Sequence, residues 1–171
     1  RALVAICYAH WEGYVKFSAR KYMEFVSLRK FPYSELNKQF FKNLFLPHLA
    51  ALSSSKTSVS DRCDLIEEIL TRSNQRYSHV NEDLINTKSN LNFEVFKEIC
   101  LVCNLPADAF KDHGTFIDVS LLKRRNSIAH GEDTLIGLGE LDTIVNTSID
   151  LMRIFGDLLE NQVVLKSYKS A

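Results

Sequence analysis

The chain has 171 residues, room for one well-packed domain and little room for two. Apolar residues make up 46% and charged residues 25%, the composition of an ordinary globular protein. Lys+Arg and Asp+Glu balance at 21 each, which excludes bulk charge as a means of binding nucleic acid or lipid and leaves any anion to a local patch.

The first element predicted is one long helix over residues 2–29. Val4, Tyr8, Trp11, Val15, Ala19, Tyr22 and Val26 recur every three or four residues, the period of a buried helical face. Leu3, Cys7, Tyr14, Phe25 and Leu28 widen that face, so burial on more than one side is expected. Gly13 weakens the helix by about 1 kcal/mol relative to alanine, and Pro32 ends the segment. The opening ALVAIC runs straight into YAHWEGYVK, so it does not read as a signal peptide. No run reaches transmembrane length. A chain that starts at Arg1 instead of methionine is expected to be a piece of something longer.

A second helix is predicted over 34–46 with Ser34 as its N-cap. The polar run SSSKTSVS (53–60) reads as a linker, and DRCDLIEEILT (61–71) as a short amphipathic helix. From 72 to 91 the pattern fades into a loop with strand-like or irregular structure. Asn92 caps a helix over 93–103, which Leu105-Pro106 stops. That helix holds Cys100 and Cys103, a C-x2-C pair. Zinc takes four ligands and no second pair accompanies this one, so these are read as core thiols and no metal is expected. Reduced thiols point to the cytoplasm.

Thr115 opens the next predicted helix, with Asp118 as its capping-box partner, and Gly131 closes it as the residue after the C-cap. A last helix begins near Glu140, with Leu141, Val145, Ser148, Met152, Phe155 and Leu159 as its packing seam. No convincing strand alternation and no internal repeat occurs. The reading is all-α, a single-domain bundle of four to six helices over residues 1–171.

The helix over 116–130 carries KRRNSIAHGE. At 100° per residue, Ile117, Leu121, Leu122, Ile128 and Ala129 form an apolar arc with Arg125 in its middle. A guanidinium on a packing face is costly unless it is paired or faces an anion. Lys123 and Arg124 suit a solvated face. Asn126 and His130 are four apart and share one side, so the amide can hold the imidazole. His130 ends the helix, where the dipole favours the imidazolium.

Arginine beside histidine suits RNA cleavage. The 2′-hydroxyl attacks its own phosphate, so neither a protein nucleophile nor a metal is needed. The histidine moves protons and the arginine stabilises the phosphorane. On one ideal helix Arg125 and His130 lie 140° apart, so a second copy packed across a two-fold axis is expected to complete the pocket. By spacing alone the signal is weak, and a core arginine with a helix-terminal histidine is the plain alternative.

RRNSIAHGE resembles the signature of the HEPN family (higher eukaryote and prokaryote nucleotide-binding domains), an arginine, commonly followed by asparagine, with a histidine four to six residues after the arginine. Here these are Arg125, Asn126 and His130, with Arg124 as the alternative arginine. The opening YAHWEGYVKFSARKY is similar to the first helix of bacterial HEPN proteins of the defence and toxin type. The resemblance implies a HEPN-like bundle and a metal-independent endoribonuclease without cofactor. It also implies a homodimer leaving a 2′,3′-cyclic phosphate and a 5′-hydroxyl, and a toxin or phage-defence effector beside an antitoxin or other regulatory partner. Catalytic roles then fall to Arg125 and His130, support to Asn126, Arg124 and Glu12, and RNA contact to Lys123 and Arg124. A toxin subgroup carries a tyrosine two residues after the histidine, which its antitoxin modifies. Glu132 stands there, so that mode of control is not expected.

Glu12 lies in the first helix beside Trp11. It either reaches the pocket, to pair with Arg125 or steer His130, or is a surface carboxylate. His10 is expected to be packed or partly exposed and His113 to be solvated in a loop, while His48 and His79 have no partner at a useful spacing. No Gly-rich phosphate loop, G-x-S-x-G or H-E-x-x-H occurs. The runner-up is a non-catalytic dimerisation or RNA/nucleotide-binding module of a larger defence protein.

Overall fold

The structure, a computed structural model, describes residues 1–54, 58–132 and 135–170. It is all-α. The helices are α1 (Ala2–Leu28), α2 (Lys38–Ser54), α3 (Val59–Thr71), α4 (Phe93–Val102), α5 (Arg124–Ala129) and α6 (Leu138–Val164), with short 3₁₀ turns between them. A π-helical segment, Phe116–Lys123, runs directly into α5. Among the described residues only isolated β-bridges occur, Pro32 with Arg76 and Leu36 with Lys169. None of the described helices is long and apolar enough to cross a membrane.

The α1 stripe is buried at every expected position, Val4 through Val26. Its widening is narrower than the sequence implies. Cys7 is buried, but Leu3 and Leu28 are exposed, because the neighbours cover one broad arc of α1 and these two lie off it. The main neighbour is α6. Cys7 meets Ser148, and the Tyr14 and Phe155 rings stand 6.5 Å apart edge to face, so the two helices run parallel in register. The fit is close at Gly156, where a Cβ would lie 2.6 Å from the Tyr14 hydroxyl. The buried line of α6 is Ile144, Ser148, Leu151, Phe155 and Leu159, while Leu141, Val145 and Met152 are only partly covered. Ser148 is tolerated there because its hydroxyl donates to the Ile144 carbonyl at 2.6 Å.

The core lies where α1, α4 and α6 meet the 3₁₀ turn Asp108–His113. Phe96 is its hub, with ring centroids 5.3 Å from Trp11, 4.6 Å from Phe110 and 5.6 Å from Phe155. Asn92 caps α4 as expected, accepting the Val95 amide at 2.8 Å. Asn104 takes the left-handed conformation that closes the helix, at φ +56°. Cys100 and Cys103 are fully buried, and burial pushes the Cys100 thiol up to about 12.

Elements between the core helices depart from expectation. Ser34 lies inside a 3₁₀ turn, Tyr33–Glu35, and does not cap α2. Asn37 starts that helix instead, its side chain accepting the Gln39 amide at 3.0 Å. The helix then continues through Pro47 to Ser54, the proline removing one backbone bond of the helix. The expected linker over 53–60 shrinks accordingly. Ser58 makes a capping box with Asp61 at the start of α3, and residues 55–57 lie outside the described residues.

The helix over 116–130 is the largest correction. Thr115 makes no side-chain cap, and Asp118 accepts the Phe93 amide at 2.7 Å, closing the start of α4 instead of its own helix. Residues 116–123 are π-helical, so each turns through less than the 100° of an α-helix and the angular reading does not carry through to α5. Ile117 and Leu121 are buried, Leu122 and Ile128 partly so, and Ala129 is exposed.

Candidate active site around Arg125 and His130

Six residues of α5 follow the π-helical segment, and a glycine ends them. Gly131 has φ +75°, its amide bonds the Ile128 carbonyl, and the Glu132 amide reaches back to Ser127 at 2.9 Å. This is the Schellman closure the sequence anticipates, and it sets His130 at the helix end. The His130 side chain is exposed and makes no hydrogen bond among the described residues.

Arg125 is half-buried and its surroundings come from three places. Its guanidinium carbon stands 4.3 Å from the centre of the Tyr8 ring on α1. One amino group donates to Asn126 Oδ1 at 2.9 Å, and the other donates to the Ser89 carbonyl at 3.0 Å. The second amino group also lies 3.8 Å from Glu12, whose side chain is 20% exposed, so Glu12 reaches the site and is not a free surface carboxylate. The arginine on the packing face is therefore paired, as its position demanded.

The turn supplying Ser89 is itself unusual. Lys88 and Ser89 both have positive φ, 52° and 59°, and the Asn90 amide bonds the Thr87 carbonyl, the signature of a type I′ turn built without glycine. Tyr8 holds its far end, because the Tyr8 hydroxyl accepts the Leu91 amide at 2.7 Å. Burial raises the Tyr8 pKa, the Leu91 bond and Arg125 oppose that rise, and the nearby Glu12 adds to it. Tyr8, Glu12, Arg125 and the 87–91 turn thus form one network.

Asn126 does not hold His130. Its side-chain oxygen accepts from Arg125 and its amide group faces Asn90 Oδ1 at 3.5 Å, while the link to His130 is a backbone bond from the His130 amide to the Asn126 carbonyl. Arg124 and Lys123 also separate. Lys123 is exposed, but Arg124 is largely covered and paired with Glu140 at the start of α6. That guanidinium holds the Glu140 carboxyl below its usual range. No side-chain contact joins Arg125 to His130, as the 140° separation on one helix led us to expect.

The sequence missed Tyr8, Ser89 and Asn90. Tyr8 was legible in part, being four residues before Glu12 and so on the same side of α1. Nothing local marks Ser89 or Asn90, whose roles come from the fold bringing the turn to α5. The remaining histidines stay apart from this cluster. His10 is exposed, and His113 is partly buried in a 3₁₀ turn and not solvated in a loop. His48 and His79 line a separate cavity of about 440 Å³ to which α5 contributes nothing. Among the described residues no group of three His, Cys, Asp or Glu could hold a metal ion.

The family model described as RiboL-PSP-HEPN matches residues 1–161. That span includes both the α1 stretch with Tyr8 and Glu12 and the α5 motif. No curated protein and no solved structure matches the chain. The chain is a member of the HEPN family, of the RiboL-PSP-HEPN type.

Proposed function

We propose that residues 1–171 act as one metal-independent endoribonuclease domain, a cytoplasmic toxin or phage-defence effector working as a homodimer. The observation that carries this reading is the contrast between the two motif residues. Arg125 is fixed by Tyr8, Glu12, Asn126 and Ser89, while His130 is exposed and uncommitted at the helix end. A preorganised cation and an available imidazole are what this chemistry needs.

Across a two-fold axis, one His130 takes the proton of the 2′-hydroxyl, whose oxygen bonds to phosphorus. The P–O5′ bond breaks, and the symmetry-related imidazole protonates the leaving 5′-oxygen. The products are a 2′,3′-cyclic phosphate and a 5′-hydroxyl. Arg125, with unspent N–H donors, faces the equatorial oxygens of the phosphorane. Lys123 contacts the RNA backbone, and an antitoxin or other partner restrains the activity.

The test is cleavage of a long RNA in EDTA, with the oligomeric state followed by sedimentation. His130→Ala and Arg125→Ala are each expected to lower the rate by about 10²-fold or more while the protein stays helical and dimeric. Undiminished cleavage by either variant, or full activity from a monomer, would refute the proposal. A non-catalytic dimerisation or RNA-binding module is the second reading. It is favoured by the partners Arg125 already has within its own chain, and wild-type protein that binds RNA without cutting it would select it.

A further inference from the structure

Tyr8 touches Arg125 through its face and the 87–91 turn through its hydroxyl. These are two different contacts, made by two ends of one buried side chain that is 2% exposed. The turn then returns to the same arginine, since the Ser89 carbonyl accepts from it at 3.0 Å. Asn90, next along the turn, faces Asn126, which also bonds Arg125. The turn is expensive to hold. Two consecutive non-glycine residues sit in the left-handed region, and such strain persists only where surrounding contacts over-determine it. Such contacts surround this turn. They are the Leu91–Tyr8 bond, the 2.8 Å bond of the Lys88 amide to Asn86 Oδ1, and the buried Thr87 and Leu91.

We propose that Tyr8 is a positioning residue for Arg125: its ring supports the guanidinium from below while its hydroxyl locks the strained 87–91 turn that presents the Ser89 carbonyl to that guanidinium. The inference rests on the ribonuclease reading only where turnover is measured. The geometric half stands without it. Removing the hydroxyl frees the Leu91 amide and lets the turn relax, yet keeps a ring under Arg125. Removing the ring as well takes away both supports. Arg125 then samples more orientations, and what is lost is stabilisation of the transition state ahead of ground-state binding.

Two variants separate the parts. In Tyr8→Phe, amide hydrogen exchange over residues 87–91 is expected to quicken at least tenfold, with exchange in α6 unchanged. The Arg125 side-chain proton signals should keep the upfield shift given by an aromatic face. In Tyr8→Leu that upfield shift should vanish. In turnover, Tyr8→Phe is expected to lower kcat several-fold with KM within twofold of wild type. Tyr8→Leu should approach Arg125→Ala, and adding Tyr8→Leu to Arg125→Ala should cost nothing more, since the two act through one group. Unchanged exchange at 87–91 in Tyr8→Phe would overturn the proposal. So would multiplicative losses in the double variant, or an Arg125 signal indifferent to the ring. If wild-type protein cleaves no RNA, the ribonuclease reading fails by itself, and the exchange and side-chain signals still decide whether Tyr8 holds Arg125.

Discussion

At the scale of single residues, burial decides more than residue type. Of the four cysteines, Cys63 alone is exposed, while Cys7, Cys100 and Cys103 are buried. Burial raises the thiol pKa of all three buried cysteines, to about 12 for Cys100. A native pKa above the unfolded value means that the unfolded state loses its proton first as pH rises. The contribution to stability is therefore complete below about pH 9 and is lost as pH climbs toward about 12. The urea midpoint is expected to fall between pH 8.5 and 11, and to fall less steeply in Cys100→Ala. A thiol reagent at pH 8 should label Cys63 at once and the other three only on unfolding. A midpoint flat across that range, or prompt labelling of all four, would contradict this. The core role of Cys100 and Cys103 was legible in the sequence because their spacing lacks a second ligand pair. The partners of Asn126 were not. An i, i+4 relation names a neighbour, but the amide turned to Arg125 because a cation and the 87–91 turn offered stronger partners than an exposed imidazole.

At the scale of elements, the α1 stripe read true, half of the α6 seam did not, and the caps divided, Asn92 holding while Ser34 and Thr115 did not. The α1 positions from Val4 to Val26 are all buried because a 27-residue helix averages out local accidents. Ser34 and Thr115 failed as caps because their backbones are already in helical turns, Ser34 within a 3₁₀ turn and Thr115 at φ −61°, ψ −38°, so neither sits at a helix start. Asp118 went to Phe93 on α4, a partner that sequence spacing cannot show. The π-helical register of 116–123 was equally hidden, because apolar spacing of three and four fits both helix types over two turns. The C-terminal signal held, as the left-handed residue after α5 is a glycine. Gly131→Ala therefore forces a Cβ into a left-handed backbone at a cost of about 1 kcal/mol. A fall in Tm of about 2–4 °C is expected for a chain of this length. Space is not the limit, since a Cβ there would meet nothing within 4 Å. RNA cleavage should fall by more than the stability loss explains, because the same closure sets His130 at the helix end. Gly139→Ala, inside α6 with equal room and no positive φ, is the control and should lower neither. If both alanines behave alike, backbone conformation at 131 is not what places the histidine.

At the scale of the whole molecule, net charge is zero and the motif's own charges are partly spent. Arg124 is opposed by Glu140 and Arg125 by Glu12, which leaves Lys123 as the exposed cation of the cluster. The sequence placed three cations side by side and offered Glu12 on α1 as a partner for Arg125, but it gave no sign that α6 brings Glu140 to Arg124. RNA binding should accordingly be weakly salt-dependent. If each protomer of a dimer offers Lys123 and Arg125 to phosphates, four contacts result. For a single strand, log K then falls against log[salt] with a slope of about −3, at roughly 0.7 per contact. Lys123→Ala removes one contact per protomer and should flatten the slope by about 1.4. Glu140→Gln works in the opposite direction, since freeing Arg124 adds a contact per protomer and should steepen the slope by a similar amount while tightening binding at low salt. The measurement is a salt series with an RNA carrying 2′-deoxy substitutions at its cleavage sites, so that binding is read without turnover. The Glu140 carboxylate faces solvent and glutamine keeps its size, so Glu140→Gln should change Tm little and the two effects stay separable. A slope that ignores Lys123→Ala would place the RNA on another face of the bundle. A slope that steepens in Glu140→Gln would show that the carboxylate on α6 meters how much of the motif's charge the RNA can use.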